Sequence, residues 1–329
     1  MGIRRAVGSK LESAIGRDRT NTIRKAERRA RNALARQLAM EPPKKPVAKR
    51  SSKQPTKPPA SNPELAAKPL RRRPSDPFVS HPEPTMTRHE LLRELHQKTQ
   101  PRTYLEIGVN NGASLVLSRA RSIGVDPAFR VDKPIHCDVQ LVKATSDSFF
   151  AQVDPLAHFE GIPVDLAFID GMHLSDFALR DFMNMEPLMA ATGVVVFDDM
   201  LPRNGLEAAR NCTTSAWAGD VYKVIEIVRR WRPDLVVLLV NTAPTGTAVV
   251  VGVDQASTIL KDAYEAEEAY LLQPDPQTPP QEYMERSIAV EPGVLLASPV
   301  WEKLAACRES GATADVGALW DELRALQHG

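Results

Sequence analysis

Tyr104-Leu-Glu-Ile-Gly-Val-Asn-Asn-Gly112 runs from an apolar stretch into a glycine-rich turn. Residues 104–109, bounded by Pro101 upstream and by glycine downstream, predict a short buried strand. The segment after it, Ala113 to Ala120, carries apolar residues at helical spacing and predicts a helix over 112–120. Gly108 and Gly112 lie between the two, with Glu106 at the strand end. A strand, a glycine turn and a helix start let a ligand approach bare backbone. An ordinary strand-to-helix turn uses the same residues. The spacing is E-x-G-x-x-x-G, so the G-x-G-x-x-G dinucleotide fingerprint is not met, which counts against a dehydrogenase.

Outward from this stretch the pattern alternates. A helix is expected over Arg88–Lys98, then strands over 103–109, 122–126, 139–144, 164–170 and 193–199, with helices after 145 and over 175–190. Asp220 to Trp231 places Val221, Val224, Ile225 and Val228 on one helical face, and two strands follow over 234–241 and 247–253. Alternating strands and helices argue for an α/β fold, a doubly wound and mostly parallel sheet with helices on both faces. This domain is expected over 86–255, with a C-terminal helical extension over 256–329 in which Trp301 and Trp320 serve as packing anchors. Whether that extension docks on the core, forms a dimer contact or covers a substrate is left open.

The net charge of +1 conceals an asymmetry: residues 1–80 hold 21 Lys+Arg against 6 Asp+Glu, and the remainder holds 21 against 35. A basic, proline-rich and largely disordered tail is therefore expected over 1–85, with a marginal Arg/Ala helix over 9–40 and a linker over 41–84. Such a tail suits an anionic partner, lipid or nucleic acid, or simply stays solvated. It lacks the interleaved aromatics of a single-strand stacking platform. Cys137, Cys212 and Cys307 are far apart in sequence and form no metal or redox spacing. With no bilayer-length apolar run and no secretory core, the expected location is the cytoplasm.

In a parallel sheet, ligands gather beyond the carboxyl ends of the strands. The second strand ends in Asp126, about twenty residues after Glu106, the offset at which an acid accepts hydrogen bonds from ribose hydroxyls. A turn acid before Pro127 is the plainer alternative. Ser146 and Asp147 follow the third strand. The fourth ends Asp170-Gly-Met-His173 and the fifth Asp198-Asp199. Adjacent strands lie roughly 5 Å apart, so these ends can converge on one ion. Three carboxylates without a thiol suit a hard cation such as Mg2+. Packed together they repel unless a cation holds them or one takes a proton. Taken alone, Asp198-Asp199 reads as a loop cap.

The glycine stretch resembles the first motif of class I S-adenosylmethionine-dependent methyltransferases. That resemblance implies a seven-stranded, Rossmann-like sheet with an antiparallel edge strand. It also implies a cofactor held by Glu106, Gly108, Asn110, Gly112 and Asp126, with Ser146 and Asp147 toward the adenosine. D-G-x-H at 170–173 with the acidic pair at 198–199 resembles the metal-dependent O-methyltransferases that act on sugar hydroxyls of macrolides and related glycosides, over about residues 100–255. The implied roles are Asp170, Asp198 and Asp199 as Mg2+ ligands, His173 as base beside Asp170, and a hydroxylated small molecule as acceptor. Trp217 to Tyr222 falls where that family has a mobile segment near the substrate. Two readings stand beside this one: a metal-independent methyltransferase in which His173 acts alone, and a non-catalytic binding module docked through the basic tail.

Overall fold

The computed structural model describes residues 76–310 and 316–327. The expected helix over 9–40 and the tail up to residue 75 lie outside the described residues. Seven strands form one sheet: β1 (Thr103–Ile107), β2 (Arg121–Val125), β3 (Val139–Val142), β4 (Val164–Ile169), β5 (Met189–Phe197), β6 (Val236–Val240) and β7 (Thr247–Val251). Their order is β3-β2-β1-β4-β5-β7-β6. All pairings from β3 to β5 are parallel, and β7 runs antiparallel to both β5 and β6. This is the doubly wound α/β sheet expected from the sequence, with the antiparallel strand one place in from the edge and β6 outside it. β1, β4, β6 and β7 are buried along their whole length, as strands covered on both faces must be.

Each face has its own core. One side buries α3 (Ser175–Met185), α4 (Lys223–Trp231) and α5 (Ile259–Leu271) around Phe182, Phe197 and Ile225. The other buries α1 (Arg88–Thr99) with α6 (Pro292–Leu296), α7 (Val300–Ser310) and α8 (Val316–Arg324) around Leu95, Tyr104 and Trp301. The C-terminal helices therefore dock on the core: Trp301 is fully buried, and Arg308 reaches the carbonyls of Thr99 and Thr192.

Two expectations are corrected. No α-helix follows β1. Residues 115–117 make a single 3-10 turn, which ends where Ser118 turns extended and Ser122 bonds its hydroxyl. The side-chain bond offered by Ser118 competes with helix continuation. The linker is also shorter than expected, because residues 76–84 lie against the body. Val79 N–H donates to the Arg203 carbonyl, Asn204 donates to the Asp76 carbonyl, and the Arg203 guanidinium sits 3.9 Å over the Phe78 ring. Met86 and Thr87 then pair with Thr242 and Ala243 in a short parallel ladder. α1 begins there, with Thr87 and Glu90 capping each other reciprocally.

Candidate active site

Four residues stand one step beyond their strands while their N–H groups still bond the neighbouring strand. Gly108 donates to Val125, Asp126 to Val142, Asp170 to Ile107 and Asp198 to Ile169. The sheet thereby fixes the positions from which the chemistry projects, at the carboxyl ends of β1, β2, β4 and β5.

The glycine turn is shaped by what lies against it. A Cβ on Gly108, at φ +95°, would fall 1.8 Å from the Asp170 carbonyl oxygen. Gly108 therefore admits the adjoining backbone as much as any ligand. A Cβ on Gly112 would meet Val131 at 2.9 Å. Asn110, at φ +47°, donates its N–H to Asp126 Oδ2 at 2.8 Å, and Ala128 N–H reaches Asp126 Oδ1. The Asp126 carboxylate thus binds the turn to the end of β2.

Glu106 lies beneath the turn, fully buried, rather than in its mouth. Its oxygens accept from the hydroxyls of Tyr104 and Ser114, each at 2.7 Å. Burial raises its carboxyl to about 8 despite those two bonds. Glu106 holds the loop from below. Asp147 is paired with Arg180, and Ser146 opens the short helix α2 (Ser146–Phe150) beside Asp181. Neither stands among the acids of β4 and β5.

Those acids meet around an imidazole. His173 Nε2 is 3.4 Å from Asp170 Oδ1, and Nδ1 is 3.0 Å from Asp199 Oδ2 and 3.1 Å from the Trp217 carbonyl. The Trp217 indole stacks on the ring at 5.1 Å. A Cβ on Gly219 would strike the His173 carbonyl at 1.7 Å, so residues 217–219 pack directly on the histidine. Asp199 is held at φ +63°, a left-handed backbone uncommon outside glycine, and its Oδ1 accepts from Thr245. Burial pulls the imidazole down, but the Asp170 bond and the Asp199 and Asp170 charges outweigh it and raise His173 to about 9.

Asp198 faces elsewhere. Its Oδ2 lies 2.8 Å from Arg88 Nε in an ion pair that lacks hydrogen-bond alignment. Burial and the charges of Asp199 and Asp170 raise its carboxyl well above the usual range, and Arg88 opposes them. Among the described residues, Asp170, His173 and Asp199 present ligand atoms within 4.8 Å of one another, a donor set that fits a divalent cation. So the structure groups Asp170 and Asp199 with His173, and turns Asp198 toward Arg88. A cavity of about 10 Å3 lies behind this cluster and is lined also by Asp181, which is buried and leaves Oδ1 without a partner. That volume holds about one water.

Arg88, Thr245 and Trp217 complete the cluster. In the sequence only Trp217 carried a signal, because it falls in the segment 217–222. Arg88 and Thr245 stand 82 and 75 residues from Asp170 in sequence, and nothing in their surroundings marks them.

Residues 105–200 match the model of a family described as a methyltransferase domain, which takes in β1 to β5 and the acidic pair. No curated relative matches the chain. The solved structures similar to it include a methyltransferase of Podospora anserina with SAH bound, at 15% identity over 50% of this chain and 78% of that one, with a TM-score of 0.37. The O-methyltransferase TomG of Streptomyces achromogenes, involved in tomaymycin synthesis and solved with SAM, aligns at 17% identity over 50% of this chain and 79% of its own, with a TM-score of 0.37. A caffeoyl-CoA O-methyltransferase assignment from Staphylococcus aureus aligns at 18% over 50% and 82%, with a TM-score of 0.38.

Proposed function

We propose that this chain is an S-adenosylmethionine-dependent O-methyltransferase that methylates a hydroxyl of a small molecule such as a sugar or glycoside, with His173 as base. The observation that carries the reading is the imidazole set between Asp170 and Asp199 beside the glycine turn of β1. S-adenosylmethionine, when bound, supplies a sulfonium methyl. Asn110, Asp126 and the backbone of the glycine turn would hold it. A divalent cation, when bound by Asp170 and Asp199, supplies charge that lowers the pKa of the acceptor hydroxyl.

The side chains of the site then divide the work. A carbonyl only accepts, so the Trp217 carbonyl fixes the proton on His173 Nδ1 and leaves Nε2 to take the hydroxyl proton. Asp199 and Asp170 steady the imidazolium that results. The same carboxylates keep the ring protonated up to about pH 9 when nothing else neutralises them. Positive charge beside Asp170 and Asp199 is what returns it to the neutral base near pH 7.

A second reading, a metal-independent transferase in which His173 acts alone, is favoured by one feature: the Arg88 guanidinium, 2.8 Å from Asp198, already supplies a positive charge to the acids. Isothermal titration with S-adenosylmethionine, with and without Mg2+, followed by a methyl-transfer screen of hydroxylated metabolites, tests both. Full activity in EDTA selects the metal-free reading. Absence of cofactor binding under either condition overturns the methyltransferase assignment.

A further inference from the structure

The arrangement of charge in the cluster assigns a role to a residue far outside it in sequence. Arg88 stands in the first turn of α1, delivered by the 86–87 ladder onto the loop between β6 and β7. That loop does two things at once. Thr242 and Ala243 anchor the chain just before Arg88, and Thr245 bonds Asp199. The guanidinium lies 2.8 Å from Asp198, and the charges of Asp170 and Asp199 also act on it. Burial pulls it down, yet the charges of Asp198, Asp170 and Asp199 outweigh the burial, so Arg88 stays charged. Asp198 is nearly inaccessible, with 2% of its side chain exposed against 28% for Arg88. A buried carboxylate without a positive partner is strongly unfavourable, and the Arg88 guanidinium, 2.8 Å away, is the positive partner that Asp198 has.

We propose that Arg88 is the resident counter-cation of the acid cluster, competing with a divalent ion for it and so setting the affinity of the site for that ion. The inference rests on the reading of Asp170 and Asp199 as ion ligands. Its physical basis is that a fixed positive charge acting on the same acids as the ion opposes it, and occupies Asp198, which would otherwise be a third carboxylate ligand. The pair is an unaligned contact, so the guanidinium can yield without breaking a well-formed hydrogen bond.

The test uses Mn2+ as the probe on the full chain, with binding followed by electron paramagnetic resonance of the free ion. Arg88→Gln should tighten Mn2+ binding at least 10-fold, and Arg88→Lys, which keeps the charge, should stay within about 3-fold of the parent. Asp198→Asn should change Mn2+ affinity far less than Asp170→Asn or Asp199→Asn. Arg88→Gln binding Mn2+ no more tightly than the parent overturns the proposal, as does Asp198→Asn abolishing binding in the parent background. A metal-free arm in EDTA separates this from the ion reading. There, Arg88→Gln should lower the melting temperature, and adding Asp198→Asn should restore most of the loss. If no variant binds Mn2+ but that restoration occurs, the ion reading falls and the counter-cation role stands. If neither occurs, Arg88 is not the counter-cation.

Discussion

His173 owes its chemistry to its neighbours. An imidazole held at about 9 by two carboxylates is a poor base at neutral pH, and its activation has a visible signature. In EDTA the ring should titrate near 9 by NMR, and Mg2+ should move that titration downward. A value near 6.5 without metal would show that the carboxylates do not hold the ring as described. His173→Ala should lower turnover by roughly 10²–10⁴-fold, the range for loss of a general base, and leave cofactor affinity nearly unchanged. Glu106 makes the opposite kind of statement, about stability. Its carboxyl is protonated in the fold up to about 8, while in the unfolded chain it ionises above about 4.3. Its contribution is therefore complete below the unfolded value and is lost as pH rises toward 8. Glu106→Gln should flatten that part of the melting temperature curve between pH 5 and 8, and an unchanged slope would show that Glu106 is ionised where it lies.

The turn after β1 carries its constraint in backbone packing. Valine at position 108 would drive Cβ into the Asp170 carbonyl, so Gly108→Val should lower the melting temperature sharply and not merely weaken the cofactor. A folded variant of parental stability would show that the β1 and β4 ends separate at little cost. Asp126→Ala acts more gently. It frees the Asn110 and Ala128 N–H groups and should weaken S-adenosylmethionine binding by about 1.5–3 kcal/mol, the span for a hydrogen bond to a charged group, measurable by titration.

The described residues, 76–310 and 316–327, pack as one body, and truncations should report it. Removing residues 1–75 should cost less stability than removing 1–85, because the longer cut also takes the Phe78–Arg203 stack and the Val79 and Asn204 bonds. Equal melting temperatures for the two forms would show that residues 76–85 contribute nothing. Trp301→Ala should cost about 3–5 kcal/mol in denaturant unfolding, the range for deleting a buried aromatic side chain. Among the described residues no helix is long and apolar enough to cross a membrane.

Much of this architecture was legible from the residues alone. Strand ends, glycine turn, the helix over 88–98 and the acids at 170, 198 and 199 follow from local pattern, because hydrophobic period and turn chemistry are short-range properties. The alternation of strands and helices then limits the sheet to few topologies. What local pattern cannot carry is which charges meet. Asp198 and Asp199 are neighbours in sequence, yet the left-handed turn at Asp199 sends one to His173 and Thr245 and the other to Arg88. Glu106 ends a strand as a ligand-holding acid would, but strand alternation puts it on the α1 side, under Ser114. The helix expected after β1 gives way where serine hydroxyls take up its backbone groups, Ser118 accepting from Ala120 N–H and Ser122 donating to the Ala120 carbonyl. Sequence therefore determined the strands of the sheet and which residues stand at its carboxyl edge. Only tertiary structure decided their partners, because electrostatic pairing depends on distances between segments that the chain brings together only when it folds.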